Sequence, residues 1–181
     1  KYGFDLYNEY ALPKLIKKLS EIENIKWIRL LYCYPELVSD ELITEIKTNK
    51  KVVKYIDLPL QHINSNILKA MNRRTDKNKV LEIIHKLKAE IPEIAIRTTF
   101  ILGFPGETTE TFNEVLEFLK TEQLTNVGFF PYSREEGTRA YNFENQVNKR
   151  TKLSRVKKAY ETQQIIVENN NNNLVNKVFD V

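Results

Sequence analysis

Four short stretches of the sequence gather residues able to hold a ligand: "YCYP" at 32–35, "LPLQHINSN" at 58–66, "LGFPGET" at 102–108 and "FPYSREEGT" at 130–138. Each follows a run rich in apolar, β-branched and aromatic residues and ends it with proline, glycine or an amide. Side chains alternate along a strand, so Arg29, Leu31 and Cys33 share one face and Asp57, Pro59 and Gln61 another. Arg97, Thr99 and Ile101 share a face of a third strand, and Phe130 and Tyr132 of a fourth. Together these supply a cation, a carboxylate, an amide, a hydroxyl, an aliphatic wall and two aromatic rings. That set suits a zwitterionic ligand carrying a flat ring.

Each piece also has a plainer reading. Gly-Phe-Pro-Gly at 103–106 equally forms a strand-to-helix turn, with Gly106 supplying a positive φ and Glu107 favouring the helix N-terminus that follows. Phe130 and Tyr132 fit a core, and Cys33 a small buried hydrophobe. His62, of opposite parity to Gln61, reads as a loop or packing histidine rather than a metal ligand. Asp57 and Arg29 are able to neutralise one another, and "SREEGTRA" reads as a solvated turn. The sequence has no Walker loop, dinucleotide fingerprint or nucleophile elbow.

Alternating strands and helices must position these residues. A helix face recurs at Leu12, Leu15, Ile16, Leu19 and Ile22 within residues 10–22, followed by a strand "WIRLLYCYP" that Pro35 stops. Residues 39–48 form a helix capped at Ser39, and "VVKYIDLPLQH" the second strand. A helix over 76–90 buries Val80, Ile83, Ile84 and Leu87 and is closed by Pro92. "IAIRTTFILGF" is the third strand, Thr109 to Lys120 a helix with Phe112, Val115, Leu116 and Leu119 inward, and "VGFFPYS" the fourth strand. Strict alternation implies parallel pairing and an α/β fold whose ligand sits at the strands' C-terminal ends.

The ends differ from this middle. Residues 148–168 read as a long charged helix that runs into "ENNNNNL", a frayed end or linker. "LVNKVFDV" at 174–181 reads as a strand lacking a partner, so the polypeptide is expected to continue past Val181, and "KYGFDLY" to have structure upstream. With 181 residues and 41% apolar content the chain supports one main core. A net charge of +4 permits contact with RNA or a ribosome without demanding it. One cysteine excludes an internal disulfide framework and a multi-thiolate metal site made by these residues alone. No apolar run approaches a membrane span and the first residues do not read as a signal peptide, so a cytoplasmic location is expected.

"WIRLLYCYPE", "KYIDLPLQHIN", "IRTTFILGFPGET" and "YSREEGT" resemble successive blocks of the radical S-adenosylmethionine methylthiotransferases, and the resemblance runs from Tyr2 to about Gln164. Cys33-Tyr34-Pro35 and His62-Ile63-Asn64 are closer to the branch that modifies an aspartate of small-subunit ribosomal protein S-twelve than to the tRNA-modifying branch. The three-cysteine loop that holds the family's catalytic cluster is absent, as are the three cysteines of its N-terminal domain. The family's strand-five pattern G-x-I-x-G-x-x-E is imperfect: Thr99 replaces the first Gly and the Glu falls one place late, at Glu107, which weakens any role for it.

The resemblance implies the last four β/α units of an open (β/α)6 TIM-like barrel over 1–147, a connecting helix and Asn-rich linker over 148–173, and the first strand of a TRAM domain over 174–181. It implies S-adenosylmethionine as cofactor, with Ile101 on the adenine, Gly103 letting the ring approach, and Phe130 and Tyr132 flanking it. Gln61 and Thr99 would bond polar parts of the ligand and Arg97 its carboxylate, with Asp57 as the other candidate partner for Arg97. Two 4Fe-4S clusters would be ligated outside these residues, so no metal ligand and no catalytic residue is assigned here, and the 181 residues alone are expected to be inactive. A reduced cluster would cleave the cofactor, and the radical formed would abstract hydrogen from an unactivated carbon before sulfur insertion. The implied partners are ribosomal protein S-twelve or the small ribosomal subunit and an electron donor such as a flavodoxin system. A tRNA-adenosine methylthiotransferase, or a non-enzymatic ligand- or ribosome-binding module, is the alternative.

Overall fold

The computed structural model describes residues 1–178. Helices α1 (Phe4–Tyr7) and α2 (Leu12–Ser20) precede strand β1 (Ile28–Leu30). Helix α3 (Asp40–Thr48), strand β2 (Val52–Asp57), helices α4 (Ser65–Ala70) and α5 (Lys77–Glu90) and strand β3 (Ala95–Leu102) follow. Helix α6 (Thr109–Glu122), strand β4 (Asn126–Pro131) and helix α7 (Lys149–Asn172) complete the order. The sheet runs β1-β2-β3-β4, with β1 parallel to β2 and β2 parallel to β3. The Tyr132 amide donates to the Leu102 carbonyl at 2.8 Å, which aligns the C-terminal ends of β3 and β4. The expected α/β fold with four strands in sequence order is therefore what forms.

The contacts divide the chain into two compact units, Lys1–Leu60 with Lys77–Arg97, and Gln61–Asp76 with Thr98–Val181. In the first, Ile16 of α2, Leu42 and Ile46 of α3, Ile56 of β2 and Ile84 of α5 are buried, as the helical three-and-four spacing requires. The Ser39 side chain accepts the Leu42 amide and caps α3. In the second, Phe100 of β3 packs edge-on to Phe118 of α6 and stacks with Phe129 of β4 at centroid separations of 5.6 and 6.1 Å. Phe112, Val115, Leu116 and Leu119 are all buried along α6.

Several boundaries differ from the sequence expectation. The first strand is far shorter than "WIRLLYCYP": its register with β2 shifts between Ile28 and Leu30, and Tyr32 takes φ 55, a left-handed turn that ends regular pairing. The short helices α1 and α4 were not expected. Helix α4 is set by Asn64, whose side chain accepts the Asn66 and Ile67 amides. The Asn-rich run expected as a linker is helical to Asn172. Asparagine is only mildly unfavourable in a helix, and here Asn170 Nδ2 donates to the Gln123 carbonyl at 3.2 Å while Ile166 is buried. Of the strand expected over 174–181, residues 174–178 are turn and coil, since a strand needs a neighbour to pair with; the remainder lies outside the described residues.

Candidate functional site

In the second unit the ends of β3 and β4 and the residues that follow β2 surround a cavity of about 390 Å³, within the range of about 300–1,000 Å³ usual for ligand pockets. Gln61, Ile101, Phe104 and Tyr132 line it from the strand ends. Met71 and Arg73, which follow α4, and Thr138 and Arg139, which follow β4, complete the wall.

Gln61 is held in an unusual way. Its φ is 72, in the left-handed region that costs a non-glycine residue about 1–3 kcal/mol. Two main-chain bonds keep it there, its amide donating to the Thr99 carbonyl and its carbonyl accepting the Ile101 amide, each at 2.8 Å. The backbone thus fixes Gln61 and Ile101, two residues that line the pocket, side by side. Tyr132 packs edge-on to Phe104 at 5.1 Å, and its hydroxyl is buried without a hydrogen-bond partner among the described residues. A buried hydroxyl left unpaired costs free energy that a polar ligand atom would recover. Burial pushes the Tyr132 phenol up from its ordinary range, opposed by Arg134 and aided by Glu135.

Beside the pocket lies a buried acid. Glu107 Oε2 accepts the Gly103 amide at 2.9 Å and stands 3.2 Å from His62 Nε2, while Oε1 accepts Arg155 Nη1 at 2.7 Å. Arg155 Nη1 also donates to the Glu107 carbonyl at 3.1 Å. A buried carboxylate needs such compensation, and this one obtains it from β3's end, the residue after Gln61 and α7. The late position of Glu107 in the family's pattern therefore does not leave it idle: it anchors both strand ends that deliver Gln61 and Ile101.

Of the seven residues expected to bind the cofactor, the cavity brings together Gln61, Ile101 and Tyr132. Thr99 is half-buried and contributes its carbonyl to Gln61 rather than a wall of the cavity. Gly103 has φ 75, and a Cβ there would run into Lys152 Cγ, so its bare backbone makes room for α7. Lys152 Nζ donates to the Tyr132 carbonyl at 3.0 Å and sits 4.7 Å from that ring's centroid; burial pushes its ammonium down, with the Arg134 charge adding to the effect. Phe130 is 57% exposed and lines no part of the cavity; its neighbour Phe129 is the buried one. Arg97 belongs to the first unit, where its Nη1 lies 3.6 Å from Asp57 Oδ2. Arg29, the other cation considered for Asp57, instead covers the Tyr55 ring at 4.0 Å.

Sequence reasoning missed Glu107's role, its partner Arg155, and the lining residues Met71, Arg73, Thr138 and Arg139. Asn64 three residues ahead of Ile67 signalled the cap of α4 and hence a structured segment leading to Met71 and Arg73. Nothing in the sequence marked Arg139 within its charged turn.

The radical SAM superfamily model matches residues 5–119. The chain belongs to the radical SAM superfamily. A relative within it, ribosomal protein uS12 methylthiotransferase RimO of Thermoanaerobacter sp., is 48% identical over 181 residues, covering 100% of this chain and 41% of the relative. The protein of the same name from Clostridium botulinum is 50% identical over 181 residues with the same coverage. The radical SAM chain described here thus spans about two-fifths of the length of these relatives. Among solved structures, the radical S-adenosylmethionine methyltransferase TsrM of Kitasatospora setae, with cobalamin and a 4Fe-4S cluster bound, aligns at TM-score 0.54 and 18% identity over 72% of this chain and 26% of that one. At that identity the likeness speaks for the radical SAM fold alone.

The donor set fits one of the family's two groups and not the other. The cavity's apolar walls, converging amide and unpaired Tyr132 hydroxyl suit a nucleoside-bearing ligand. An iron-sulfur cluster does not fit: Cys33 is the chain's one cysteine, and among the described residues no group of three or more His, Cys, Asp or Glu is placed to hold a metal ion. Among the described residues no helix is long and apolar enough to cross a membrane.

Proposed function

We propose that these residues form the cofactor-binding part of a radical SAM methylthiotransferase whose substrate is an aspartate of small-subunit ribosomal protein S-twelve, modified at its β-carbon. The observation that carries this reading is the meeting of Gln61, Ile101 and Tyr132 around one cavity, with a buried hydroxyl awaiting a partner. The names of the relatives support methylthio transfer to ribosomal protein uS12; the aspartate and its β-carbon rest on the resemblance of the sequence blocks. S-adenosylmethionine, when bound, supplies hydrogen abstraction from an unactivated carbon once electrons reach it from a cluster held outside these residues. The residues of this chain bind and orient. Ile101 and Tyr132 present an apolar wall and a ring to the adenine, and the Gln61 side chain and Tyr132 hydroxyl offer hydrogen bonds to its polar edge or ribose. Residues 1–147 would be barrel, 148–173 the connection and 174–181 the start of a TRAM domain. The protein would work in the cytoplasm on S-twelve or the small subunit, with a flavodoxin-type electron donor.

Calorimetric titration of the full-length protein with S-adenosylmethionine tests the reading. Ile101→Ala and Tyr132→Phe should each weaken binding, the first by about tenfold through lost apolar contact. Full affinity in both variants, or no binding by the wild type, would remove the pocket from the reaction.

A further inference from the structure

Lys152 stands where α7 meets the ends of β3 and β4, beside the cavity but not in its wall. Its stem packs on the bare backbone of Gly103, two residues past Ile101. Its ammonium turns to Tyr132, donating to the main-chain carbonyl at 3.0 Å and covering one face of the ring at 4.7 Å from the centroid. The helix that carries it is fastened on both sides. Arg155, three residues on, donates to the Glu107 carboxylate and carbonyl, and the Tyr160 hydroxyl accepts the Phe129 amide at 3.3 Å and donates to the Phe129 carbonyl at 3.2 Å.

Packing does not account for the charge. Lys152 is half-buried, burial and the charge of Arg134 both favour its neutral form, and among the described residues no carboxylate pairs with it. A methionine of similar length would cover Gly103 without desolvating an ammonium. Tyr132, by contrast, needs an anchor. It lies one residue past β4, tied to the sheet by its amide bond to Leu102, where strand alternation no longer sets the direction of its side chain.

Resting on the assignment of the cavity to S-adenosylmethionine under Proposed function, we infer that Lys152 is a positioning residue for cofactor binding, its ammonium holding the Tyr132 ring and hydroxyl where the ligand meets them. It acts through Tyr132, since it lines no part of the cavity itself. With one ring face covered by the ammonium, a flat ligand group is left the other. Lys152 thereby decides on which side of Tyr132 the adenine lies, and the ring stands between the ammonium and a cofactor that is itself a net cation.

The test titrates S-adenosylmethionine calorimetrically into the full-length protein, reconstituted anaerobically, with a thermal melt of each variant. Lys152→Met keeps the stem and should melt close to the wild type, yet bind the cofactor about three- to tenfold more weakly, the worth of a partly desolvated cation over a ring. Lys152→Arg restores a cation and should recover part of that loss. In a Tyr132→Ala background, already weakened, Lys152→Met should move the Kd by less than about twofold, because no ring remains to be placed. Should Tyr132→Ala fail to fold, Tyr132→Leu fills the space without ring or hydroxyl and serves as the background. An equal loss from Lys152→Met in both backgrounds overturns the inference, as does a loss of affinity that merely follows the melting temperature through Lys152→Met and Lys152→Arg. If removing the Tyr132 ring weakens binding and Lys152→Met does not, only this inference falls; if removing the ring leaves the affinity unchanged, the reading of the cavity falls first and takes the inference with it.

Discussion

His62 and Glu107 meet at 3.2 Å with both side chains wholly buried. The Asn64 amide donates to His62 Nδ1 at 2.9 Å, which leaves Nε2 as the protonated nitrogen facing Glu107 Oε2. The same oxygen takes the Gly103 amide. One carboxylate therefore ties the residue that follows Gln61 to the residue two beyond Ile101. Local strain at Gln61, with φ 72, persists because this clamp and the flanking main-chain bonds over-determine it.

Removing the clamp should be costly. Glu107→Ala leaves Arg155, only 11% exposed, without its carboxylate and leaves the Gly103 amide and His62 Nε2 without an acceptor. A loss of about 3–5 kcal/mol in urea unfolding is expected, the usual penalty for breaking a buried pair. Glu107→Gln retains the shape and an acceptor oxygen and should lose clearly less. Equal and small losses in both variants would show that the pair is not compensated burial.

Gly103 separates two effects that a single substitution confounds. Gly103→Ala forces a Cβ into the left-handed φ of 75 and into Lys152 Cγ. Together these should cost about 2 kcal/mol or more, of which the backbone part is about 1 kcal/mol. In a Lys152→Ala background the overlap with Cγ disappears, and the left-handed backbone plus a tight contact with the remaining Cβ at 3.1 Å should be left. Thermal melts of the two singles and the double give the coupling; simple additivity would mean that Lys152 already yields without strain.

The order of elements was legible because periodicity reports burial directly: Val80, Ile84 and Leu87 on α5, and Phe112, Val115 and Leu119 on α6, are buried where spacing put them. What was not legible depended on single turns. Tyr32 and Gln61 take positive φ with no glycine to signal it, which cut β1 short and made Gln61 both bridge and lining. Parity along β4 placed Phe130 and Tyr132 together, yet Phe130 is exposed and Tyr132 lies past the strand's end, where alternation no longer governs direction. Arg155 and Glu107 sit 48 residues apart, and no local pattern announces a partner at that range. Charge alone concealed Arg139, because a solvated turn and a cavity wall have the same composition here.

Cys33 offers a measure of the first unit by itself. Burial pushes its thiol up, and the negative charge of Asp57 pushes it further. The folded chain thus holds this proton at pH values where the unfolded chain has released it, so stability falls as pH rises from the ordinary thiol range toward the folded value. Alkylation by iodoacetamide in the folded chain should have its midpoint above that of the urea-unfolded chain, and Asp57→Asn should bring it back part of the way. A folded midpoint at or below the unfolded one would contradict the burial argument.

Arg97 has two candidate anionic partners, the cofactor's carboxylate, implied by the resemblance, and Asp57. In the structure its Nη1 lies 3.6 Å from Asp57 Oδ2, with Arg97's side chain 51% exposed and Asp57's 3%. That distance is an ion pair without hydrogen-bond geometry, and half of the guanidinium faces water, so screening reduces its worth below that of a buried pair. Asp57 retains another partner, because Oδ2 also accepts the Tyr32 amide at 3.4 Å. Arg97→Met should therefore cost about 1–2 kcal/mol of stability, above a surface pair and short of the about 3–5 kcal/mol of a fully buried one. A double-mutant cycle with Asp57→Asn should return a coupling of about 0.5–1 kcal/mol, most of it lost at high salt. If instead Arg97→Met leaves urea unfolding unchanged and weakens S-adenosylmethionine binding about tenfold in the full-length protein, the cofactor is the partner and the contact with Asp57 is incidental.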